Sequence, residues 1–316
     1  MQNMNLRRFF GKLRALGFRE GIRRSFLRKT IRGPFLPLGN IDPFFLFNTN
    51  LDDAEGEEKK RRKNSGFIFA ASSLEQQYPL IFHSGNRFLR YAFMPALNQA
   101  KALVVFFHGH GGDLPPSPCE DFDILAPWDT FGYRRLGSWF WGEHGDGFVE
   151  RMIVDLINET RAEGVDQPWF TYGGSMGGFG ALWHGIKYDC TGIYVTSPQI
   201  DLVRKIEDYG DVKENAYAFL GGKDRGGLPD LYNLARSKDE LPPLFLIQSQ
   251  YDAVNEFSMH ALPLVQTYQE KRAWLGLRVY PGIGHKSHDG SFEEALLFFR
   301  LIIEKKVANR VVLQRK

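Results

Sequence analysis

The sequence of 316 residues lacks any uninterrupted apolar run long enough to cross a membrane, and it does not open with the apolar stretch of a secretory signal. It has only two cysteines, Cys119 and Cys190, which allow at most one disulfide bond and no cysteine-based metal site. These absences predict a cytoplasmic protein in a reducing compartment. Hydrophobic residues make up 43% of the chain, which is enough for a sizeable core.

Positive charge is concentrated at one end of the chain, although the formal net charge is only +3. Residues 1–33 contain ten basic side chains and a single acidic one, Glu20. An enzyme acting on nucleic acid is expected to spread its basic residues around a binding groove. The distribution therefore argues against a nucleic-acid partner.

Apolar residues recur at helical spacing among the basic residues of 1–33, with a break at Gly17. This pattern predicts a broken basic amphipathic helix. Three interpretations stay open. The segment binds the anionic inner leaflet of a membrane, it packs on the rest of the protein, or it is an organelle targeting peptide. Under the first, the protein is cytoplasmic and peripheral on the membrane.

The rest of the chain divides into a linker and one domain. Residues 34–65 include an acidic block followed by a basic block without an apolar face, which predicts an exposed linker. Residues 66–316 predict an α/β domain that begins with antiparallel strands at 66–70, 79–83 and 87–94. Buried strands then alternate with helices, and this alternation indicates a mostly parallel sheet with helices on both faces. The buried strands are predicted at 102–107, 168–172, 192–197, 243–248 and 275–280.

Two helices of this domain have clear sequence signals. Apolar residues from Phe148 onwards recur at intervals of three and four, which predicts an amphipathic helix. Near the end of the chain, Ser291 and Glu294 have the spacing of a capping box ahead of another apolar helical pattern.

Four glycines surround Ser175 in the stretch YGGSMGG, directly after a predicted strand. The pattern G-x-S-x-G between a strand and a helix is that of a nucleophile elbow, in which the chain turns so sharply that neighbouring side chains must be absent. The elbow leaves the serine hydroxyl exposed above the end of the strand. The sequence therefore predicts Ser175 as a nucleophile.

A second glycine-rich loop, HGHGG, follows the predicted strand at 102–107. Its backbone N–H groups are candidates for one half of an oxyanion hole, with the donor at His110 or Gly111. The other half is expected from the N–H of Met176, the residue after the nucleophile. The side chain of His108 is expected to brace the loop, and a zinc site is not expected because the H-x-H pair lacks carboxylate or cysteine partners nearby.

A serine nucleophile needs a base and an orienting carboxylate. Asp252 follows one predicted strand, and His285 lies in a glycine-bracketed loop after the next one. The order Ser175, Asp252, His285 matches the order of a serine, acid and histidine triad after a nucleophile elbow. His288 is the alternative base, and the alternative acids are Glu256 and Asp201.

The stretch 113–147 is far longer than a usual connection in such a fold, and it predicts a cap-like insertion over the site. Trp139 and Trp141 are candidates for stacking on a sugar or phenolic group, and Arg134 and Arg135 are candidates for a carboxylate or phosphate. The alternative is that the aromatic residues form the small core of the insertion itself. The aromatic side chains of this stretch are Trp128, Phe131, Tyr133, Trp139, Phe140 and Trp141.

Residues from about 95 to 308 resemble the α/β-hydrolase superfamily, and specifically its serine esterases. The resemblance is carried by HGHGG, GGSMGGFGA, the aspartate of QYD and the histidine of GIGH. It implies that Ser175 attacks an acyl carbonyl, that His285 takes its proton and that Asp252 holds the imidazole. The implied function is hydrolysis of a small-molecule or glycan ester through an acyl-enzyme, without a cofactor.

Two other functions stay open. The chain is also similar to the hydrolase-fold acetyltransferases found with capsule and glycoprotein export systems. That similarity implies transfer of an acetyl group from acetyl-CoA to a glycan or another membrane-proximal acceptor by the same triad. The other alternative is a catalytically silent binding protein that keeps the fold, against which the intact triad order argues.

Overall fold

The computed structural model describes residues 76–132, 135–161, 167–202, 228–252, 254–285 and 291–304. The predicted segments 1–33 and 34–65 and the predicted strand at 66–70 lie outside these residues. In the described part of the chain, no helix has the length and apolar character needed to span a membrane.

One sheet organises the described residues. Its strands are β1 (Leu80–Ser84), β2 (Arg87–Met94), β3 (Ala102–Phe107), β4 (Phe122–Trp128), β5 (Trp169–Gly174), β6 (Gly192–Thr196), β7 (Leu244–Tyr251) and β8 (Leu275–Ile283). The spatial order is β1-β2-β4-β3-β5-β6-β7-β8. The pairs β1–β2 and β2–β4 are antiparallel, and the remaining pairs are parallel. The predicted mostly parallel sheet is confirmed.

Helices cover both faces of this sheet. They are α1 (Phe148–Thr160), α2 (Met176–Lys187), α3 (Leu231–Ser237), α4 (Ala261–Glu270) and α5 (Phe292–Ile303). Apolar residues of α1 to α4 share one core with alternate residues of β3, such as Val105 and Phe107. Residues of α5 share a second core with the intervening β3 residues, such as Val104. Burial on both faces explains why β3 is apolar throughout.

Strand β4 lies inside the stretch that was predicted to be a cap-like insertion. It pairs with β2 on one side and β3 on the other, so this part of 113–147 belongs to the sheet. The sequence of β4 contains Asp123 and Pro127, two residue types that strands disfavour. Pro127 lies beyond Leu125, the last residue of β4 paired with β3. Because of these two residues, the sequence pattern did not predict a strand here.

The amino terminus of α5 forms half of the predicted capping box. The Ser291 hydroxyl accepts a hydrogen bond from the Glu294 N–H at 3.1 Å, as expected. The Glu294 carboxylate does not close the box. It accepts instead from Arg278 at 3.0 Å and from the Tyr194 hydroxyl at 3.0 Å, and so connects α5 to β8 and β6.

Candidate active site

Ser175 occupies a sharp turn between β5 and α2. Its φ is 55° and its ψ is −117°, in a region that residues with a β-carbon rarely occupy. A β-carbon at Gly173 would overlap the carbonyl oxygen of Gly177, and one at Gly177 would overlap that of Phe107. The glycines are thus required because backbone approaches backbone on both sides of the serine. The turn is the expected nucleophile elbow.

The structure brings Ser175, His285 and Asp252 together in one hydrogen-bonded chain. His285 Nε2 lies 2.9 Å from Ser175 Oγ, and His285 Nδ1 lies 2.8 Å from Asp252 Oδ2. A carboxylate only accepts, so the Nδ1 proton points to Asp252 and Nε2 accepts from the serine hydroxyl. This is the arrangement in which an imidazole serves as a general base for a serine. Ser175 is 7% exposed, so the group is shielded from bulk solvent.

Four hydrogen-bond donors converge on the buried carboxylate of Asp252. Its Oδ1 accepts from the N–H groups of Val254 at 2.8 Å and Asn255 at 2.9 Å. Its Oδ2 accepts from Gln248 Nε2 at 3.2 Å as well as from His285. Such donors stabilise a buried negative charge and fix the direction of the carboxylate. Asp252 is thereby pointed at the imidazole.

The predicted oxyanion donors belong to the start of α2 and to the loop that follows β3. Met176 begins α2, and among the described residues its N–H has no hydrogen-bond acceptor. The partial positive charge of a helix amino terminus also favours an anion there. In the HGHGG loop, the N–H of Gly111 donates to the carbonyl of Leu136 at 2.8 Å, so Gly111 is engaged inside the protein. Which of His110 and Gly111 supplies the loop donor stays a prediction.

His108 braces the loop as predicted. It is fully buried, its Nδ1 lies 2.6 Å from the carbonyl oxygen of Gly109, and its Nε2 accepts from the Asp129 N–H at 2.8 Å. Burial lowers the pKa of His108, which keeps the ring neutral. Both ring nitrogens are occupied, and among the described residues no group of potential metal ligands occurs.

The two aromatic residues predicted for substrate stacking, Trp139 and Trp141, both pack in the core. Trp141 packs beside Gly147 at the start of α1, and Trp139 is 4% exposed. Only Trp139 is connected to the nucleophile: its Nε1 donates to Gln199 at 2.7 Å, and the Gln199 N–H donates to the Ser175 carbonyl at 2.9 Å. Trp141 is 8% exposed, about as much as Ser175 at 7%, and its role in lining a substrate site stays a prediction.

The predicted arginine pair is described only in part. Arg134 lies outside the described residues, whereas Arg135 is half-buried near the carboxylate of Glu143. Glu143 is 4% exposed, and burial raises its pKa to about 7. The positive charge of Arg135 lowers the pKa of Glu143, so this guanidinium interacts with a carboxylate inside the protein.

The remaining candidates have different outcomes. The alternative base His288 lies outside the described residues. His184 is fully buried in α2, stacks on Phe107 with ring centroids 5.0 Å apart, and has a pKa lowered to about 4 by burial. It is a core residue. The carboxylate that contacts His285 Nδ1 is Asp252 and not the alternatives Glu256 or Asp201.

Sequence reasoning missed three residues that support the site, namely Gln248, Gln199 and Asp129. Gln248 lies four positions before Asp252 on β7, and a buried polar residue in an apolar strand was an available signal. Asp129 was concealed because β4 was not predicted. Nothing in the sequence near Gln199 marks it out.

Comparison with solved structures gives low sequence identity and a shared fold. The chain is similar to the acylaminoacyl peptidase of Pyrococcus horikoshii at a TM-score of 0.54 and 12% identity, over 74% of this chain and 43% of that one. It is similar to an S-formylglutathione hydrolase from Agrobacterium tumefaciens at 0.51 and 12%, over 72% of this chain and 94% of that one. A puromycin-hydrolyzing peptidase of Mycobacterium tuberculosis gives 0.50 and 17%, over 66% and 36%.

The chain thus spans less than half the length of the two peptidases. No protein-family model matches the sequence, and no curated protein matches it either. At these identities the likeness concerns the fold, and the fold expected from the sequence motifs is confirmed.

Proposed function

We propose that this chain, which has the α/β-hydrolase fold, is a serine hydrolase that cleaves a carboxylic ester through an acyl-enzyme on Ser175. The observation that carries the proposal is the continuous hydrogen-bonded chain from Ser175 Oγ through His285 to Asp252, at 2.9 Å and 2.8 Å. Fold likeness by itself does not define an activity, so the site geometry bears the argument.

The geometry supports a two-step reaction. Ser175 Oγ attacks the acyl carbonyl while His285 Nε2 takes the hydroxyl proton, and Asp252 stabilises the imidazolium through Nδ1. The carbonyl oxygen becomes an oxyanion that the N–H group of Met176 and a donor of the HGHGG loop, His110 or Gly111, receive. His285 then gives its proton to the leaving alcohol. Water, deprotonated by the same imidazole, releases the acid and restores the serine.

The proposal is tested with a fluorophosphonate probe and p-nitrophenyl acetate. We expect stoichiometric labelling of the full-length protein, no labelling of Ser175→Ala, and a loss of ester turnover of about 1,000-fold or more in that variant. Labelling of a different residue, or equal turnover by Ser175→Ala, would refute the proposed nucleophile. An unlabelled and inactive parent protein would support the silent binding protein instead.

The neighbours suggest which acyl compounds to compare. One is named as an acylaminoacyl peptidase and another as an S-formylglutathione hydrolase, so an N-acyl peptide and a thioester belong beside the ester. We expect the highest kcat/KM for the ester. A preference of more than 100-fold for the peptide would replace the esterase proposal with a peptidase.

Acyl transfer uses the same triad and differs only in the acceptor of the second step. The acyl-enzyme would then pass its group to an alcohol rather than to water. Acetyl-CoA turnover that depends on an added glycan acceptor, and that Ser175→Ala abolishes, would favour the transferase. Turnover independent of any acceptor would favour the hydrolase.

A further inference from the structure

One buried carboxylate holds a loop beside the candidate oxyanion hole. Asp129 follows β4 and is 1% exposed. Its Oδ2 accepts from the N–H groups of Ser138 at 2.6 Å and Phe140 at 2.7 Å, and its Oδ1 accepts from the Phe131 N–H at 3.1 Å. The Ser138 hydroxyl donates to the same carboxylate at 3.0 Å. Residues 131, 132 and 135–140, here called the Asp129 loop, are thus folded around this side chain.

The backbone of the Asp129 loop is strained where it hydrogen-bonds to the carboxylate. Trp139 has a φ of 54° and Phe140 a φ of 59°, a left-handed conformation that bulky residues rarely adopt. Such conformations persist only when the surroundings impose them. The two N–H groups that bracket Trp139, those of Ser138 and Phe140, both donate to Asp129. The carboxylate therefore supplies the restraint that this conformation needs.

The Asp129 loop contacts both sides of the oxyanion hole. The carbonyl of Leu136 accepts the Gly111 N–H at 2.8 Å, beside the candidate donor His110. Gly137 lies so close to the side chain of Met176 that an added β-carbon would overlap its Cε and Sδ. Movement of this loop would therefore shift the two backbone donors relative to each other.

Asp129 also holds the HGHGG loop through its own backbone. Its N–H donates to Nε2 of His108 at 2.8 Å, and Nδ1 of that ring lies 2.6 Å from the Gly109 carbonyl. Asp129 thus contacts the Asp129 loop with its side chain and the HGHGG loop with its main chain.

We propose that Asp129 is a positioning residue that sets the geometry of the oxyanion hole without contacting substrate. The inference rests on the proposed function, because it assigns a role to a donor pair in that reaction. It predicts a defect in transition-state stabilisation with the triad unchanged.

The test compares Asp129→Asn with Asp121→Asn in the full-length chain. An asparagine at 129 keeps the shape but presents an amide N–H₂ to N–H donors. Asp121 is a matched control, because it is a largely buried carboxylate at the opposite end of β4, paired with Arg300 at 2.7 Å. Both variants lose a buried carboxylate beside the same strand, but only one borders the oxyanion hole.

Turnover is measured per serine labelled by the fluorophosphonate probe, which removes the effect of misfolded molecules. We expect Asp129→Asn to lose about 10-fold to 100-fold in kcat with KM within about 2-fold of the parent, and a phenylboronic acid to lose affinity in proportion. We expect Asp121→Asn to lower thermal stability and keep kcat per labelled serine. Equal kcat per labelled serine in Asp129→Asn and the parent would overturn the inference.

A second variant disturbs the same contact without changing Asp129. Gly137→Ala strains a backbone with a φ of 115° and pushes a methyl group against Met176, so its kcat is also measured per labelled serine. We expect the same loss of kcat at constant KM. An unchanged kcat in this variant would contradict the coupling between the Asp129 loop and Met176.

Hydrogen exchange separates this inference from the proposed function. We expect the amides of 108–113 and 174–178 to exchange about 10-fold faster in Asp129→Asn than in Asp121→Asn, whether or not the chain turns over an ester. Equal exchange in both variants would refute the positioning role. An inactive parent protein with this exchange difference would refute only the esterase.

Discussion

At the scale of single residues, the site depends on buried polar groups that hydrogen-bond to one another. Gln248 illustrates this, because its one amide nitrogen donates both to Asp252 at 3.2 Å and to the carbonyl of Asn255 at 2.9 Å. It thereby ties the Asp252 carboxylate to the turn that follows β7. A buried hydrogen bond to a charged group is stronger than one between neutral groups.

Replacing this amide should weaken catalysis without removing a triad member. We expect Gln248→Met to lower kcat about 10-fold with little change in KM, because Asp252 loses one of its four donors and holds His285 less firmly. The measurement is kcat per labelled serine with p-nitrophenyl acetate. Gln266→Met, at an exposed position of α4, is the control and should leave kcat unchanged. A parent-like Gln248→Met would contradict the positioning of Asp252 by this amide.

Glu143 should make stability depend on pH near neutrality. Its pKa is raised to about 7, chiefly by burial and also by Asp129, against the lowering effects of the Gly132 N–H, Arg87 and Arg135. A carboxyl with a raised pKa binds its proton more tightly in the folded chain. Its contribution to stability is therefore complete below the unfolded pKa of about 4.5 and is lost as the pH rises through about 7.

Glu143→Gln keeps an acceptor for the Gly132 N–H, which donates to the carboxylate at 2.7 Å, and removes the ionisation. We expect the variant to gain stability relative to the parent between about pH 5 and about pH 8, by at most about 3 kcal/mol. Urea unfolding at both pH values measures this difference. Glu159→Gln, at an exposed site of α1, should show no such gain, and a gain of the same size there would refute the assignment to Glu143.

At the scale of elements, helix termini place reactive and structural groups alike. The start of α2 presents Met176 beside the nucleophile, while the start of α5 is capped by Ser291. The two ends differ in what satisfies their N–H groups. A serine hydroxyl does so at α5, whereas among the described residues the Met176 N–H at the start of α2 has no acceptor.

The cap of α5 can be tested by truncation. We expect Ser291→Ala to destabilise the fold by about 1 kcal/mol, because the Glu294 N–H loses its acceptor at 3.1 Å. The lost stability is measured by urea unfolding. Ser237→Ala, at the end of α3, removes an exposed hydroxyl bonded to Leu234 and should change stability by less than about 0.5 kcal/mol. Equal effects of both changes would show that the cap does not stabilise α5.

At the scale of the whole molecule, the sheet brings Ser175, Asp252 and His285 together, because each of them follows the carboxyl end of a parallel strand. Ser175 follows β5, Asp252 follows β7 and His285 follows β8. Because these strands are parallel members of one sheet, their carboxyl ends lie at the same edge. Residues separated by up to 110 positions are thereby brought within hydrogen-bond distance.

Residues 1–33 carry the charge asymmetry of the whole molecule, and their membrane role stays a prediction. We expect the full-length chain to sediment with phosphatidylglycerol vesicles and not with phosphatidylcholine vesicles, because ten basic side chains favour an anionic surface. Deletion of 1–33 should abolish sedimentation and spare turnover of a soluble ester. Unchanged sedimentation after the deletion would defeat the membrane interpretation.

Features that depend on a few neighbouring residues could be predicted from the sequence. The strands β2 and β3, the elbow at Ser175 and the fold class follow from short patterns, because a strand, a tight turn and a helix each impose residue types on neighbouring positions. The order of Ser175, Asp252 and His285 was readable for the same reason.

Other features depend on residues that are distant in the sequence, and these features become visible in the folded chain. Strand β4 is a strand because β2 and β3 flank it, although its own sequence is unfavourable. The hydrogen bond from the Gly111 N–H to Leu136 and the packing of Trp141 in the core likewise involve residues that are distant in the sequence. Asp129 gains its role from the groups packed around it, and no local pattern encodes them. Gln248 is visible in the sequence as a polar residue in an apolar strand, but its hydrogen-bond partners follow from packing.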